Sequence, residues 1–315
     1  MHTILGAGGP VANALARELQ SNNNEPTRLV SRKEIKTTGR NQTWAKADLL
    51  NFKEVLEAVK GSKVIYLTAG LVYDKKIWAQ QWPVVMNNFI NAGKETGARL
   101  IFFDNVYSYG LVNGPMLETT PYNPSSVKGE IRARIATQLL DEAKAGNINA
   151  SIARAADFYG TDNGNSFFDV MVLDKFAKKQ KAQLIGDPGK LHSFSYIPDM
   201  GKGLFLLGQD ASSDNQTWHM PTAKPLTGQQ FIELAAKAND TKPSFMTLGK
   251  FMLWSYGLFV KLVGESVEMY YQYNHDYIFN SDKFEKAFNY QPASYLEGFK
   301  IYAEKAGSSN KSVSR

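Results

Sequence analysis

Thr3-Ile4-Leu5-Gly6-Ala7-Gly8-Gly9-Pro10-Val11-Ala12 is the stretch on which the reading of this chain turns. A short apolar run ends in a cluster of glycines, and a helical pattern begins at once in Pro10-Val11-Ala12-Asn13-Ala14-Leu15-Ala16-Arg17-Glu18-Leu19. That order predicts a strand, a tight turn and a helix. Glycines let the backbone turn sharply and let a pyrophosphate approach the amides at the helix N-terminus, where the helix dipole favours negative charge. Pro10 suits the first helical turn, where its missing N–H leaves no bond unmade. Gly6, Gly8, Gly9, Pro10 and Val11 are therefore the expected phosphate-binding residues.

Moving outward, Thr27-Arg28-Leu29-Val30 reads as a second strand and ends in Ser31-Arg32-Lys33. In dinucleotide-binding folds the position about 20 residues past the glycines meets the adenosine ribose. An acid there accepts from the 2′-OH of NAD, whereas an arginine accommodates the 2′-phosphate of NADP. Ser31 and Arg32 occupy the position and no acid comes before Glu34. A guanidinium grips phosphate bidentately, so NADP(H) is expected rather than NAD. The alternative for Arg32 is a plain surface arginine.

A short run, Gln42 to Ala47, precedes Asp48-Leu49-Leu50-Asn51, where Asn51 can cap a helix carrying Val55, Leu56 and Val59. Asp48 and Leu49 are expected beside the adenine, Asp48 either accepting from its amino group or joining turn to helix. Val64-Ile65-Tyr66-Leu67 reads as a buried parallel strand ending at Thr68-Ala69-Gly70, a further cofactor-contact stretch. A helix from about Ile77 to Thr96, restarted or kinked at Pro83, leads to a fifth strand at Arg99 to Phe103. Strands alternating with helices, glycines at several strand ends, imply an α/β doubly wound parallel sheet with its ligand along the carboxyl edge.

Composition fits that architecture. The 315 residues are 43% hydrophobic, enough for a large core. With no cysteine, disulfides, thiolate metal sites and a cysteine nucleophile are excluded, and four scattered histidines give no metal-ligand spacing. The formal charge of +6 is modest for this length, and the basic run Lys175 to Lys181 reads as a solvated helix face. No nucleic-acid partner is expected. Phe251 to Val263, the most apolar stretch, is too short to span a bilayer and carries Lys261, so no membrane partner is expected either. A strand starting almost at Met1 leaves no room for a signal peptide, and a cytoplasmic protein is the expectation.

These pieces together resemble the extended and atypical short-chain dehydrogenase/reductase superfamily, close to its NAD-dependent epimerase/dehydratase type. The glycine spacing Gly6-x-x-Gly9-x-x-Ala12 is similar to the GxxGxxG of extended members with alanine third. Asp48-Leu49, Phe102 to Gly110, Lys128, Arg154 to Gly160 and Tyr196-Ile197-Pro198-Asp199 complete the likeness over nearly the whole chain. The resemblance implies a Rossmann-type sheet with a smaller, mainly helical C-terminal substrate lobe. It divides the chain into a dinucleotide-binding domain at 1–160, a substrate lobe at 161–306 and a flexible tail at 307–315, with elements near 182–220 packing back on the first domain.

The family pattern places a serine after the fifth strand and a Tyr-x-x-x-Lys on the next helix, both side chains on one face. The tyrosine is the acid/base for a carbonyl or alcohol oxygen, and the lysine holds the nicotinamide ribose and lowers the phenol's pKa. Lys128 matches, but Pro124 stands where the tyrosine should be, and Asn105 aligns with the serine. Two readings follow. In one, Lys128, Asn105 and a substitute phenol pass a hydride between NADP(H) and a small carbonyl or alcohol in a cleft between the lobes. The phenol is then Tyr107, two residues past Asn105, or Tyr122, held on a loop by the restriction Pro124 puts on Asn123. Tyr107 can otherwise be an aromatic packing beside the cofactor. In the other reading the fold is a non-catalytic NADP(H)-binding regulator.

In the family the stretch Arg154 to Gly160 brings backbone to the nicotinamide, here Ala155, and a side chain to the substrate, here Asp157. Asp157 offers a base or a hydroxyl binder, or it pairs with Arg154. Leu191 to Ile197 alternates as a strand in which His192 either faces the pocket as a proton donor or is a buried histidine bonded to backbone. Tyr122 and His192 join Asp157 as expected substrate-binding residues. Beyond these come helices at Thr227 to about Ala238, about Gly249 to Val263 and Leu296 to about Ala306, and a strand at Asp276 to Phe279. A small-molecule substrate is the expected partner, and a homodimer is the oligomer this reading allows.

Overall fold

The computed structural model describes residues 1–22, 25–160 and 166–313, with side chains through 306. In chain order the elements are β1 (His2–Leu5), α1 (Pro10–Asn22), β2 (Thr27–Ser31), β3 (Gln42–Lys46), α2 (Phe52–Val59), β4 (Val64–Leu67), α3 (Lys75–Thr96), β5 (Arg99–Asn105), α4 (Val127–Lys144) and β6 (Ala150–Ala155). There follow β7 (Asp157–Tyr159), α5 (Asp174–Ala177), β8 (Ala182–Ile185), β9 (Leu191–His192), β10 (Phe194–Tyr196), α6 (Ile197–Gln209) and β11 (Thr217–His219). The chain ends with β12 (Leu226–Thr227), α7 (Gly228–Ala238), β13 (Phe245–Leu248), α8 (Lys250–Gly257), α9 (Lys261–Ser266), α10 (Tyr271–Asn274), α11 (Asp282–Phe288) and α12 (Tyr295–Val313).

Two units divide these elements. The first comprises Met1–Gly110, Glu118–Ala155 and Met200–Met220. It holds a seven-stranded sheet in the order β11-β6-β5-β4-β1-β2-β3, parallel throughout. The order reverses around β1, which lies between β2 and β4, so the switch point where open α/β sheets bind ligands falls outside Leu5 and Leu67. This is the Rossmann-type doubly wound arrangement.

The strands are buried on both faces because helices cover both. On one side Trp82, Phe89, Ile135 and Leu139 of α3 and α4 close over Leu67, Leu100 and Phe102. On the other, α6 approaches α1 closely enough that a methyl on Gly201 would lie 2.6 Å from Ala14 Cβ. Asp74 caps α3 by accepting from Lys76 and Ile77, and Gly97 ends it in a left-handed conformation. Pro83 sits inside α3 without dividing it, flanked by the buried Trp82 and Val85. Asn51 caps α2 as its position predicted.

The second unit comprises Leu111–Leu117, Ala156–Asp199 and Pro221–Arg315. Short strand pairs, β7 with β10, β9 with β12 and β8 with β13, frame an aromatic core of Phe168, Phe194, Phe231, Tyr295 and Phe299. The division differs from a boundary at 160. The first unit stops at Ala155 and regains only Met200–Met220, because β11 pairs with β6, whereas β10 pairs with β7.

Four local expectations are corrected. Asp276 to Phe279 makes single bridges, Tyr277 to His192 and Phe279 to Met116, and no strand, since its neighbours offer no longer extended edge. The helix expected from Gly249 to Val263 is two, α8 and α9, because Gly257 and Gly264 let the chain fold back on itself: a methyl on Gly257 would fall 2.6 Å from Gly264 Cα. The basic run from Lys175 leaves the helix after Ala177. The last helix continues past Ala306 to Val313, each added residue gaining a hydrogen bond on an existing helix; Ser314-Arg315 and the side chains from Gly307 on lie outside the described residues.

Candidate active site

The glycine turn follows β1 directly. Gly6 and Gly8 have φ of +92° and +97°, the region that favours glycine. The Gly6 and Ala7 amides both donate to the Val30 carbonyl, at 3.1 and 2.9 Å, so the turn is pinned to β2. Thr68 pins it to β4, its amide and hydroxyl both donating to the Leu5 carbonyl at 2.9 and 3.2 Å. Gly6 meets Ala69 so closely that a methyl on it would lie 2.6 Å from the Ala69 nitrogen. The first helical-type bond runs from Asn13 to Gly9. The amides of Gly9, Val11 and Ala12 consequently donate to no acceptor among the described residues, the usual state of a helix N-terminus. α1 has no acid in its first turn. A pyrophosphate fits that cradle.

Around it, Ser31 donates to the Lys33 carbonyl at 2.7 Å and accepts from Trp44 Nε1 at 3.0 Å, which fixes the turn bearing the exposed Arg32. Asp48 Oδ1 accepts from the Leu50 amide at 3.0 Å, so this carboxylate does join turn to helix. Leu49 is half-buried, its carbonyl taking Asn88 Nδ2 at 2.9 Å. Gly70 is exposed at the end of β4.

The chemistry-bearing group lies past β5. Asn105 pairs in register with the buried Ala155 of β6, the last residues of their strands. Asn105 Oδ1 accepts from the Tyr107 amide at 3.1 Å, so the end its side chain presents is Nδ2, a donor. That bond starts the 3₁₀ turn Tyr107–Tyr109. Tyr107 stacks on Trp78 at 6.4 Å, and its hydroxyl lies 3.4 Å from that of Tyr73. Lys128 is fully buried on α4, with Nζ 4.5 Å over the Tyr73 ring. Ser126 caps α4 by accepting from Gly129, whose missing side chain lets the Tyr107 carbonyl approach: a methyl there would lie 2.5 Å away. Lys128, Asn105 and Tyr107 therefore come together, and they come with Tyr73, which sequence reasoning missed. Nothing in the one-dimensional pattern distinguishes Tyr73 from any loop tyrosine.

Tyr122 joins a different network. Asp104, fully buried, accepts from Arg132 Nε at 2.7 Å and from Arg154 Nε and Nη2 at 3.1 and 2.9 Å. Arg154 Nη2 also donates to Tyr122 Oη at 2.9 Å, and its guanidinium lies over the Tyr109 and Tyr122 rings. The alternative pairing of Asp157 with Arg154 is thus overturned: Arg154 belongs to Asp104, its cross-strand neighbour. Tyr109 meets His219 Nε2 at 2.7 Å, and burial pushes its phenol up to about 12, out of range for proton transfer near neutrality. A charged residue in the apolar run Ile101-Phe102-Phe103-Asp104 was the signal for this network.

In the second unit, Asp157 and His192 meet. His192 Nε2 lies 3.2 Å from Asp157 Oδ2, and Nδ1 lies 3.2 Å from the Gln272 carbonyl. A carbonyl only accepts, so the contact at Nδ1 is a hydrogen bond from the ring N–H, and the other ring nitrogen faces the carboxylate. Tyr273 donates to the same carboxylate oxygen at 3.0 Å and stacks on the imidazole at 5.1 Å. His192 bonds backbone, as one of its two expected readings had it, and it also lines a pocket with Phe168, Phe231, Gln272 and Tyr273. Among the described residues no group of histidines and carboxylates could hold a metal ion.

The chain belongs to the NAD dependent epimerase/dehydratase family, whose sequence profile matches residues 2–220. No functionally curated protein matches it in sequence. Its fold is similar to a dTDP-glucose 4,6-dehydratase from Streptomyces venezuelae solved with NAD and DAU bound, at 12% identity and a TM-score of 0.77, covering 96% of each chain. It is also similar to a UDP-glucuronic acid 4-epimerase from Bacillus cereus in complex with NAD, at 14% identity and a TM-score of 0.78, covering 97% of this chain and 99% of the other. A UDP-glucose 4-epimerase from Thermus thermophilus complexed with NAD aligns at 14% identity with a TM-score of 0.76, again over 97% and 99%.

Proposed function

We propose that the protein is an NADP(H)-dependent oxidoreductase or epimerase-like enzyme that moves a hydride to or from a carbinol carbon of a small carbonyl or alcohol substrate. One observation carries the reading: a fully buried lysine sits beside a phenol pair at the carboxyl edge of β5, on a sheet whose glycine turn leaves helix amides with no acceptor among the described residues. When bound, the nicotinamide would supply the hydride donor or acceptor. Lys128 would hold its ribose, and Asn105 Nδ2 would donate to the substrate oxygen. Tyr107, with Tyr73 against its hydroxyl, would give or take the proton that the missing helix tyrosine handles in relatives. Gly6, Gly8, Gly9, Pro10 and Val11 would seat the pyrophosphate, with Asp48, Leu49, Thr68, Ala69, Gly70 and Ala155 lining the rest.

NADP(H) is proposed over NAD because β2 ends at Ser31 and Arg32-Lys33 follow it, where an NAD ribose asks for a carboxylate. The similar solved structures carry NAD, so the choice of NADP(H) rests on Ser31 and Arg32 alone. Asp157, His192 and Tyr122 are proposed to bind substrate hydroxyls. Tyr122 keeps its own O–H to donate while its oxygen accepts from Arg154. Family membership favours an enzyme and lends nothing to a non-catalytic regulator. Sugar nucleotides, after which the similar epimerases are named, are the first compounds to screen alongside simple ketones and alcohols.

The test is turnover of a substrate found in that screen, followed by nicotinamide absorbance. Tyr107→Phe is expected to lower kcat by roughly 10²–10⁴, the usual range for a lost general acid or base. Lys128→Ala is expected to raise KM for the dinucleotide as well. Unchanged kinetics in both variants would overturn the assignment.

A further inference from the structure

The segment from Lys250 to Gly264 is unlike the rest of the surface. Among the described residues sixteen large hydrophobic side chains are exposed, and seven of them fall between Phe251 and Leu262. Phe251 is 75% exposed, Leu258 66% and Phe259 87%. The last two form the turn between α8 and α9.

The arrangement around α8 matters more than the count. Helical positions advance by about 100°, so Phe251, Met252, Tyr256 and Trp254 point about 0°, 100°, 140° and 300° round the axis. The gap between the last two holds Leu253, the buried residue of α8. This helix is apolar on nearly every side yet covered along one line only. A helix apolar all round belongs in an apolar medium. A rigid partner docking on one face would leave the others in water, whereas a fluid one surrounds a protruding hairpin without needing a matching groove.

Charge selects which fluid surface. Lys250 and Lys261 flank the exposed apolar residues and Lys242 precedes them, with no carboxylate from Thr241 to Gly264; the one acid of the hairpin is Glu265, in the last turn of α9 beyond the exposed side chains. Lysine at the rim of an apolar segment keeps its ammonium at the headgroups while its stem lies in the apolar layer, and tryptophan and tyrosine favour the same depth. At eight residues α8 is about 12 Å long, far short of a bilayer's hydrocarbon core. No helix among the described residues is long and apolar enough to cross a membrane.

We infer that the α8–α9 hairpin inserts into the interfacial layer of a bilayer bearing anionic lipid, fixing the protein to a membrane surface without spanning it. This goes against the expectation of no membrane partner, which rested on the shortness of the apolar run; shortness rules out a span and not a surface anchor.

The experiment is co-sedimentation of the full chain with vesicles of phosphatidylcholine alone and of phosphatidylcholine with phosphatidylglycerol. Binding is expected to the second and to weaken with salt. Trp254 emission should shift to the blue and be quenched by brominated acyl chains. Phe259→Ser and Leu258→Ser, both at solvent-exposed positions, should each weaken partitioning roughly tenfold or more while leaving the circular dichroism spectrum unchanged. Failure to sediment with either vesicle would overturn the inference. So would partitioning insensitive to both substitutions, or substitutions that dissociate an oligomer and leave vesicle binding intact, which would mark the hairpin as a protein interface.

Discussion

Replacing Gly6 by alanine should cost much more stability than replacing Gly8, although the two share nearly the same backbone conformation. Both have φ near +95°, at +92° and +97°, so each alanine incurs the same left-handed strain, about 1 kcal/mol. Their surroundings differ. A methyl on Gly8 meets only Ile35 Cγ2, at 3.5 Å, an ordinary contact. A methyl on Gly6 falls 2.6 Å from Ala69 N and 2.7 Å from Ala69 Cβ, so the ends of β1 and β4 must part. Overpacking of that kind adds about 1–3 kcal/mol, giving about 2–4 kcal/mol for Gly6→Ala against about 1 kcal/mol for Gly8→Ala. Urea unfolding of the two variants and the parent, followed by circular dichroism, reads the difference directly. Equal losses would refute the claim that Gly6 is required by the close approach of two strand ends. Gly8→Ala, which is expected to fold, should also bind dinucleotide more weakly, since its methyl enters the space beside the helix N-terminus.

Asp104→Asn should destabilise by about 3–5 kcal/mol, because it leaves Arg132 and Arg154 buried without their counter-charge; a loss under about 1 kcal/mol in urea unfolding would contradict the network. Burial pushes the Asp199 carboxyl up to about 6, although Tyr290 and the Ala293 amide both donate to it. Between pH about 4 and about 6 the native chain keeps a proton that the unfolded chain releases, so this group's contribution falls as pH rises, by up to about 3 kcal/mol. Asp199→Asn should flatten that slope, and an unchanged pH dependence of unfolding would count against it. His2 acts in the opposite sense. Burial lowers it to about 4, so its contribution is lost as pH falls from about 6.5 to about 4. His2→Gln should reduce acid sensitivity in that window, and an unaltered acid limb would argue against the assignment.

How much of this was legible in sequence follows from the range of the interactions. The glycine turn, the strands at Thr27 and Val64 and the cap at Asn51 are written in neighbouring residues, and each lies where the pattern places it. Lys128 was proposed through the family resemblance and Tyr107 as one of two substitute phenols, and both lie against Tyr73. Tyr73 and Arg132 were not legible, because they reach the site across 34 and 28 residues by packing that no local pattern encodes. The break between α8 and α9 escaped notice because the apolar run has no proline; the signal was the glycine pair at 257 and 264. Asp276 to Phe279 shows the converse, a short apolar stretch that found only isolated bridges at Tyr277 and Phe279.

The central claim is that the turn from Gly6 to Val11 and the exposed Arg32 form an NADP(H) site. Titration of the purified protein with NADPH and NADH, followed by nicotinamide fluorescence and repeated on Arg32→Ala, tests it most directly. The account predicts tight NADPH binding, poor NADH binding, and loss of that preference in the variant. Binding of neither dinucleotide would contradict it, and equal binding of both, untouched by Arg32→Ala, would contradict the choice of NADP(H).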